Sequence, residues 1–316
     1  MLIVIKELSE IYKSKHFFDL HEISLGKKKI SFLIQGGKYI SFNRMLEYFV
    51  YDMDQKARND SDFSEKLIKD VINIKKDFKF YAFGDGEIFK AFPEYFKNNN
   101  YRVLELDFIT NVLEIDYSKY LSFNDYTATL KKKRRYKVTK VINDDHLELV
   151  KCESELDFES FAKMHIEQWA SKGDPSVLCD TKWLAFYKEA YLSGLLSLHK
   201  LMKNDGEVLA YHLGFILDNV YHYLMPTYSS NSTIESPGFA LLVKLIEFNF
   251  ENQSIRCFSL GSGDYSYKRW LSNNSRPLFM IEIKYSPLKY LVKSFIRWVK
   301  VFIRTLQKSL VSSLSR

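Results

Sequence analysis

Residues 205–270 constrain this chain more than any other stretch. They read as two strands, a helix, a third strand and a polar turn. The helix opens at Ser236-Pro237-Gly238, directly after a strand and a polar loop. Serine is a favoured N-cap, and proline at the next position loses nothing, because its missing N–H would be unbonded there anyway. Such a start presents free amides and a positive dipole end to an anion, and the glycine lets a ligand approach the backbone closely. The following strand ends in Gly261-Ser262-Gly263-Asp264, with Tyr267 and Lys268 just beyond. Glycines end the strand sharply and deliver ionisable groups to the carboxyl edge of a sheet, where open α/β sheets bind ligands.

Upstream, Leu198–Lys203 and Val208–Leu217 form a hairpin over Asn204-Asp205-Gly206, and Asn219–Tyr228 is the next strand. His212 lies mid-strand with His222 on its neighbour, close to the presumed cleft. Residues 157–173 read as a helix that puts His165 and Trp169 on one face, four residues apart. Residues 180–192 read as a second amphipathic helix. Residues 122–140 carry Lys131-Lys132-Lys133-Arg134-Arg135, then Lys137 and Lys140. A basic helix here places one or two cations on phosphates, with Arg135 as the preferred contact, or else is a solvated face.

In the first third, Lys29–Ile34 and Lys38–Phe42 form a hairpin through Gly36-Gly37, and Phe63–Ile74 has helical spacing. Phe78–Phe83 reads as a strand running into Gly84-Asp85-Gly86-Glu87 and Lys90, an echo of the segment from Phe258 to Lys268. Near the end, 272–275 reads as a loop closed by Pro277, and Leu278–Tyr285 as a strand.

The order of elements around Ser236-Pro237-Gly238, with Leu241-Leu242 and the run from Gly261 to Trp270, resembles the GNAT acyltransferase core. It is most similar to the branch named after cellulose-biosynthesis acetyltransferases, which is related to the Fem-type aminoacyltransferases. The likeness covers roughly Phe123 to Trp270. It implies an α/β fold of two tandem GNAT-like mixed-sheet domains, the first degenerate, over residues 1–125 and 126–286, with a basic amphipathic helix over 287–316. Acetyl-CoA or another short acyl-CoA is the implied co-substrate, held by Met225, Thr227, Ser236, Pro237, Gly238 and Phe239. Catalytic roles fall to Asp264, Tyr267, Lys268 and His212, and substrate contacts to Arg135, His165, Trp169 and Tyr228. The resemblance points to N-acylation, by direct transfer, of a dTDP- or UDP-linked amino sugar for surface polysaccharide, with an acetyl or short hydroxyacyl group. The alternatives are a Fem-type transferase acting on a lipid-linked cell-wall precursor and a non-catalytic membrane-docked scaffold.

Composition narrows this further. The three cysteines, Cys152, Cys179 and Cys257, have no paired spacing, so neither a disulfide framework nor a metal site is expected. The opening MLIVIKELSE offers five apolar residues before charge arrives, too few for a secretory signal, so a cytoplasmic location is expected. The seven basic residues between Lys289 and Arg316, with no acid among them, equal the entire net charge of +7. The remainder is formally neutral, and a nucleic-acid-binding body is not expected. Lys293, Arg297, Lys300, Arg304 and Lys308 line one helical face with Phe295, Trp298, Val299 and Phe302 on the rest. That pattern suits peripheral binding at the inner face of an anionic membrane through 289–316, or packing on the body or on a second subunit of a homodimer.

Overall fold

The computed structural model describes residues 20–25, 28–35, 38–40, 65–69, 78–86, 89–91, 104–252, 254–263, 265–283, 295 and 299. They fall into two compact units, one built on 110–278, the other on described segments between 20 and 109 together with 279–283. Two strands, β5 (Leu104–Asp116) and β11 (Asn274–Ile283), contribute to both units.

In the smaller unit, β1 (Leu20–Leu25) pairs antiparallel with β2 (Lys28–Gln35), which pairs antiparallel with β3 (Lys38–Ile40). The latter pair is the hairpin expected through Gly36-Gly37. β4 (Phe78–Phe83) lies parallel to β3, and helical backbone resumes at 89–91 after its glycine turn.

In the larger unit, the chain runs through α1 (Phe123–Thr129), α2 (Lys132–Ile142), β6 (Leu147–Cys152), α3 (Glu155–Ser171), α4 (Thr181–Leu192), β7 (Ser197–Lys203), β8 (Val208–Leu217), β9 (Val220–Tyr228), α5 (Pro237–Glu251), β10 (Cys257–Ser262) and α6 (Ser266–Leu271). Its strands stand in the order β11-β5-β10-β9-β8-β7-β6. β6 to β9 form an antiparallel meander, β10 lies parallel to β9, and β5 closes antiparallel on β10.

The β8–β9 turn uses Asp218 and Asn219 at φ 53° and 61°, residues that tolerate the left-handed backbone a tight hairpin requires. The side chain of Ser154 caps α3 by accepting the Asp157 amide at 3.1 Å, and Asp157 in turn holds Lys200 of β7 at 2.9 Å. The single basic helix expected over 122–140 is two helices, broken at Leu130, whose extended backbone (φ −70°, ψ 144°) ends α1. Pro277 lies inside β11 rather than before it. Proline is tolerated in a strand wherever its amide is not needed by the ladder.

The two sheet faces carry different helices. Tyr211 and Thr227, paired across β8 and β9, turn toward α3, where Phe161 meets the Tyr211 ring at 6.3 Å and Gln168 bonds Thr227. Their neighbours Ala210 and Tyr228, also paired, turn the opposite way, toward α5. On that side Leu201, Ala210, Tyr221, Tyr223, Phe258 and Leu260 bury the apolar stripe Leu241, Leu242, Leu245 and Ile246. α2 lies along α5 in the same direction. Lys244 Nζ donates to the Ile142 carbonyl at 3.1 Å, and near the other end Arg134 lies over the Trp270 ring, which meets Phe239.

Candidate active site

β9 and β10 run together for only three residue pairs, Cys257 with Val220, Phe258 with Tyr221 and Ser259 with His222. β9 continues to Tyr228 without a β10 partner. The register of β10 on β5 also shifts between Ser259 and Ser262. The carboxyl ends of two parallel strands therefore part, leaving main-chain edge available, and the helices that follow them, α5 and α6, start at that same edge.

At the α5 start, Ser236 has left-handed backbone (φ 60°, ψ 54°), and its side chain makes no capping bond. Its carbonyl takes the amides of Phe239 at 3.0 Å and Ala240 at 3.1 Å instead. Pro237 has no N–H, so the Gly238 amide is left with no acceptor among the described residues. The expected anion site is thus one unbonded amide at a dipole end rather than a serine-capped turn. A Cβ on Gly238 would stand 2.9 Å from Tyr228 Cδ1, so the tyrosine ring rests on the space the glycine leaves.

At the α6 start, Gly263 (φ 100°) makes the turn, and the ring of Tyr265 lies against it. Lys268 is buried and donates to the Ser262 carbonyl at 2.8 Å, so its charge is turned back on the end of β10. Tyr267 is half-buried. Burial, then the neighbouring Tyr265 and Tyr228, raise its phenol above the usual tyrosine value, so it is protonated at neutral pH. Asp264 lies outside the described residues.

His212 is fully buried, with both ring nitrogens engaged. Nε2 accepts the Leu224 amide at 3.1 Å, so Nδ1 carries the proton and donates to Tyr221 Oη at 3.0 Å. Leu224 is the extra residue of a bulge, since Leu213 pairs with Met225 but Gly214 with Tyr223. The ring of His212 stacks on Tyr223 at 4.3 Å and 7°. This geometry makes His212 a clamp on the β9 bulge. His222 is on the opposite face, stacked on Phe215 at 4.4 Å, so the two histidines do not converge. Among the described residues, no group of three or more His, Cys, Asp or Glu could hold a metal ion.

Gly214 makes the clamp possible. A Cβ there would stand 2.5 Å from His212 Cε1 and 2.7 Å from the His222 carbonyl oxygen, which is backbone and cannot swing aside. Gly214→Ala is expected to cost about 2–3 kcal/mol by overpacking. Urea unfolding measures this, and an unchanged midpoint would remove the clamp from the account.

On the α3 face, Thr227 Oγ1 donates to the buried Gln168 Oε1 at 2.8 Å. Trp169 Nε1 donates to His165 Nε2 at 3.2 Å, and His165 Nδ1 therefore donates to Ser176 Oγ at 2.7 Å. Burial, then the charge of Lys172, pulls the His165 imidazole down to about 4. This relay locks the half-exposed Trp169 indole. The Lys172 ammonium stands 5.3 Å from the Trp169 ring and 5.7 Å from the Tyr228 ring. His165, Trp169, Thr227 and Tyr228 are thus brought together at the end of β9, while Met225 is buried beside the bulge.

Arg135 points away, its guanidinium donating to the Ala128 carbonyl at 3.4 Å. Arg134 and Lys137 stand over the Trp270 ring at 5.5 and 5.9 Å, and Trp270 meets Phe239 of α5 at 5.8 Å. The sequence pointed to Arg135 of this adjacent pair, whereas the one over Trp270 is Arg134. A helical wheel anchored on Val138, the buried residue of α2, would have favoured Arg134 four residues before it. Gln168 gave no such signal, because Thr227 is 59 positions away, and Lys172 was visible only beside Trp169, not beside the distant Tyr228.

Residues 128–269 match the family model described as acetyltransferase (GNAT) domain. No curated protein matches the sequence significantly. Among solved structures, FemX is 12% identical, covering 90% of this chain and 93% of that one with a TM-score of 0.62. L-PGS from Bacillus licheniformis is 9% identical over 92% of this chain and 96% of that one, at a TM-score of 0.57. A conserved protein of unknown function from Bacteroides thetaiotaomicron VPI-5482 is 14% identical over 88% and 90%, at a TM-score of 0.55. At these identities the likeness is one of fold. With the parted strands, the open helix amide and the matched sequence, residues 128–269 form a GNAT acetyltransferase domain, and the chain is an acyltransferase.

Proposed function

We propose that the chain transfers an acetyl or short hydroxyacyl group from CoA to the amine of a dTDP- or UDP-linked amino sugar. The observation that carries the coenzyme half is the parting of β9 and β10 beside the unsatisfied Gly238 amide. The coenzyme diphosphate sits at that amide, and the arm pairs with the free edge of β9 up to Tyr228. The acceptor amine approaches from the α3 side, past Trp169, Thr227 and Lys172. It attacks the thioester carbonyl, whose oxygen is stabilised by a main-chain amide near the bulge. Because His212 occupies the Leu224 amide, the donor is a neighbouring amide, with Met225 the candidate. As the C–S bond breaks, the thiolate takes the proton of the Tyr267 hydroxyl, and the proton released by the attacking amine returns Tyr267 to its phenol form. His212, neutral and enclosed, positions the bulge and exchanges no proton with substrate.

Screening acyl-CoA thioesters against nucleotide-linked amino sugars, read by thiol release, tests the whole reading. With an acceptor so found, Tyr267→Phe is expected to lower kcat about 10–100-fold at unchanged KM for acyl-CoA. Unchanged kcat would remove Tyr267 from the reaction.

A second reading is aminoacyl transfer of the Fem type to a lipid-linked precursor. It is supported by the shared fold with FemX across most of both chains. Failure of CoA to bind at millimolar concentration would favour it. Among the described residues, no helix is long and apolar enough to cross a membrane. The basic tail over 289–316 lies outside the described residues except at 295 and 299. Our reading gives it the anionic membrane surface, and truncation after Pro287 is expected to abolish co-sedimentation with anionic vesicles.

A further inference from the structure

α2 is charged against its own dipole. Its first turn holds Lys132, Lys133 and Arg134 and no acid, and its start has no side-chain cap. Cations at a helix N-terminus are ordinarily disfavoured, and α3 follows the ordinary rule with Glu155 and Asp157 in its first turn. Two of the α2 cations are gathered onto one indole. Arg134 Cζ is 5.5 Å and Lys137 Nζ 5.9 Å from the centre of the Trp270 ring. Three residues apart on the helix, they repel one another.

Neither makes an ion pair with a carboxylate among the described residues. Elsewhere in the same unit Lys119, Lys188, Lys200, Lys203 and Lys244 each reach an Asp or Glu. Arg134 is also half-buried, so its charge is partly desolvated without an anion to offset it. Trp270 in turn rests on Phe239, next to Gly238 at the start of α5. The cluster therefore stands against the first turn of α5, the turn that holds the Gly238 amide, on a different set of donors.

We infer that Arg134 and Lys137, held over Trp270, form a second phosphate site that takes the 3′-phosphomonoester of the coenzyme. This rests on the coenzyme placement proposed above. A phosphate monoester carries about −1.5 to −2 charges and three acceptor oxygens, which suits a guanidinium and an ammonium presented side by side. CoA carries such a group one ribose away from its diphosphate. Two neighbouring anion sites, one main-chain and one side-chain, match that pair of charges. The diphosphate of a nucleotide-linked acceptor is the other source of the same chemistry.

Calorimetric titration of the full chain with CoA, 3′-dephospho-CoA, UDP and dTDP separates these cases, using wild type and the Arg134→Gln/Lys137→Gln double variant. Wild type is expected to bind dephospho-CoA roughly 10–100-fold more weakly than CoA, a gap that narrows at high salt. The double variant is expected to bind both alike, at the level wild type shows for dephospho-CoA, with its thermal midpoint unchanged. Equal wild-type affinities for the two coenzymes would overturn the inference while leaving the coenzyme reading intact. So would a loss in the variant confined to UDP or dTDP, which would assign the cations to the acceptor. No CoA binding at millimolar concentration would remove both readings together.

Discussion

Gly238→Glu is expected to weaken CoA binding about a hundredfold or more while the protein stays folded. The Gly238 amide at the α5 start is the donor that the helix does not use, so a carboxylate at this position sets a negative charge where the diphosphate must lie. The new Cβ would stand 2.9 Å from Tyr228 Cδ1. That contact is with the edge of a partly exposed ring, which can turn outward, and a helix gains from losing glycine. Gly238→Ala separates the two effects, since it introduces the same contact without the charge. Its CoA affinity is expected to fall between wild type and Gly238→Glu, with stability within about 1 kcal/mol of wild type. Calorimetry and thermal unfolding read both quantities. Wild-type affinity in Gly238→Glu would move the diphosphate elsewhere.

Acid is expected to unfold this protein well before ordinary carboxylate chemistry would. Burial, then Lys172, holds His165 at about 4, and burial, then Lys151, does the same for His199. Burial alone takes His222 to about 3, and burial, then His199, depresses His212 well below the ordinary 6.5. All four are neutral in the fold and ordinary in the unfolded chain. Their contribution is complete above about pH 6.5 and is lost as pH falls toward the folded values near 4. His165 and His199 together remove roughly 6 kcal/mol by pH 4, comparable to the whole stability of many domains. Urea midpoints at pH 7.5, about 5.5 and about 4.5 measure the slope. A midpoint that holds constant across that range would show that these imidazoles ionise in place. The fluorescence of Trp169, whose indole donates to His165, reports the same step locally.

Much of the frame was readable from local chemistry. The Gly36-Gly37 hairpin and the meander turns at 204–206 and 218–219 depend on backbone shapes that few residue types adopt, and the α5 start on a proline that fixes one. The placing of a helix start and a glycine turn at one sheet edge followed from their order alone. The site chemistry was less readable. Alternation by itself could not reveal that Leu224 is an added residue, and it is that bulge that joins His212 to the β9 amide, while the pairing of His222 with Phe215, three residues along β8 from His212, sets His222 on the other face.

The sequence by itself determined the helix start at Pro237, the strands on either side of it and the polar turn after β10, because proline, glycine and apolar period act over a few residues. Tertiary structure alone decided which groups meet. Gln168 reaches Thr227 across 59 positions, and Arg134 rather than Arg135 faces Trp270. Such pairs depend on strand register and on which helix covers which sheet face, and both are settled by collective packing of the core rather than by any local run of residues.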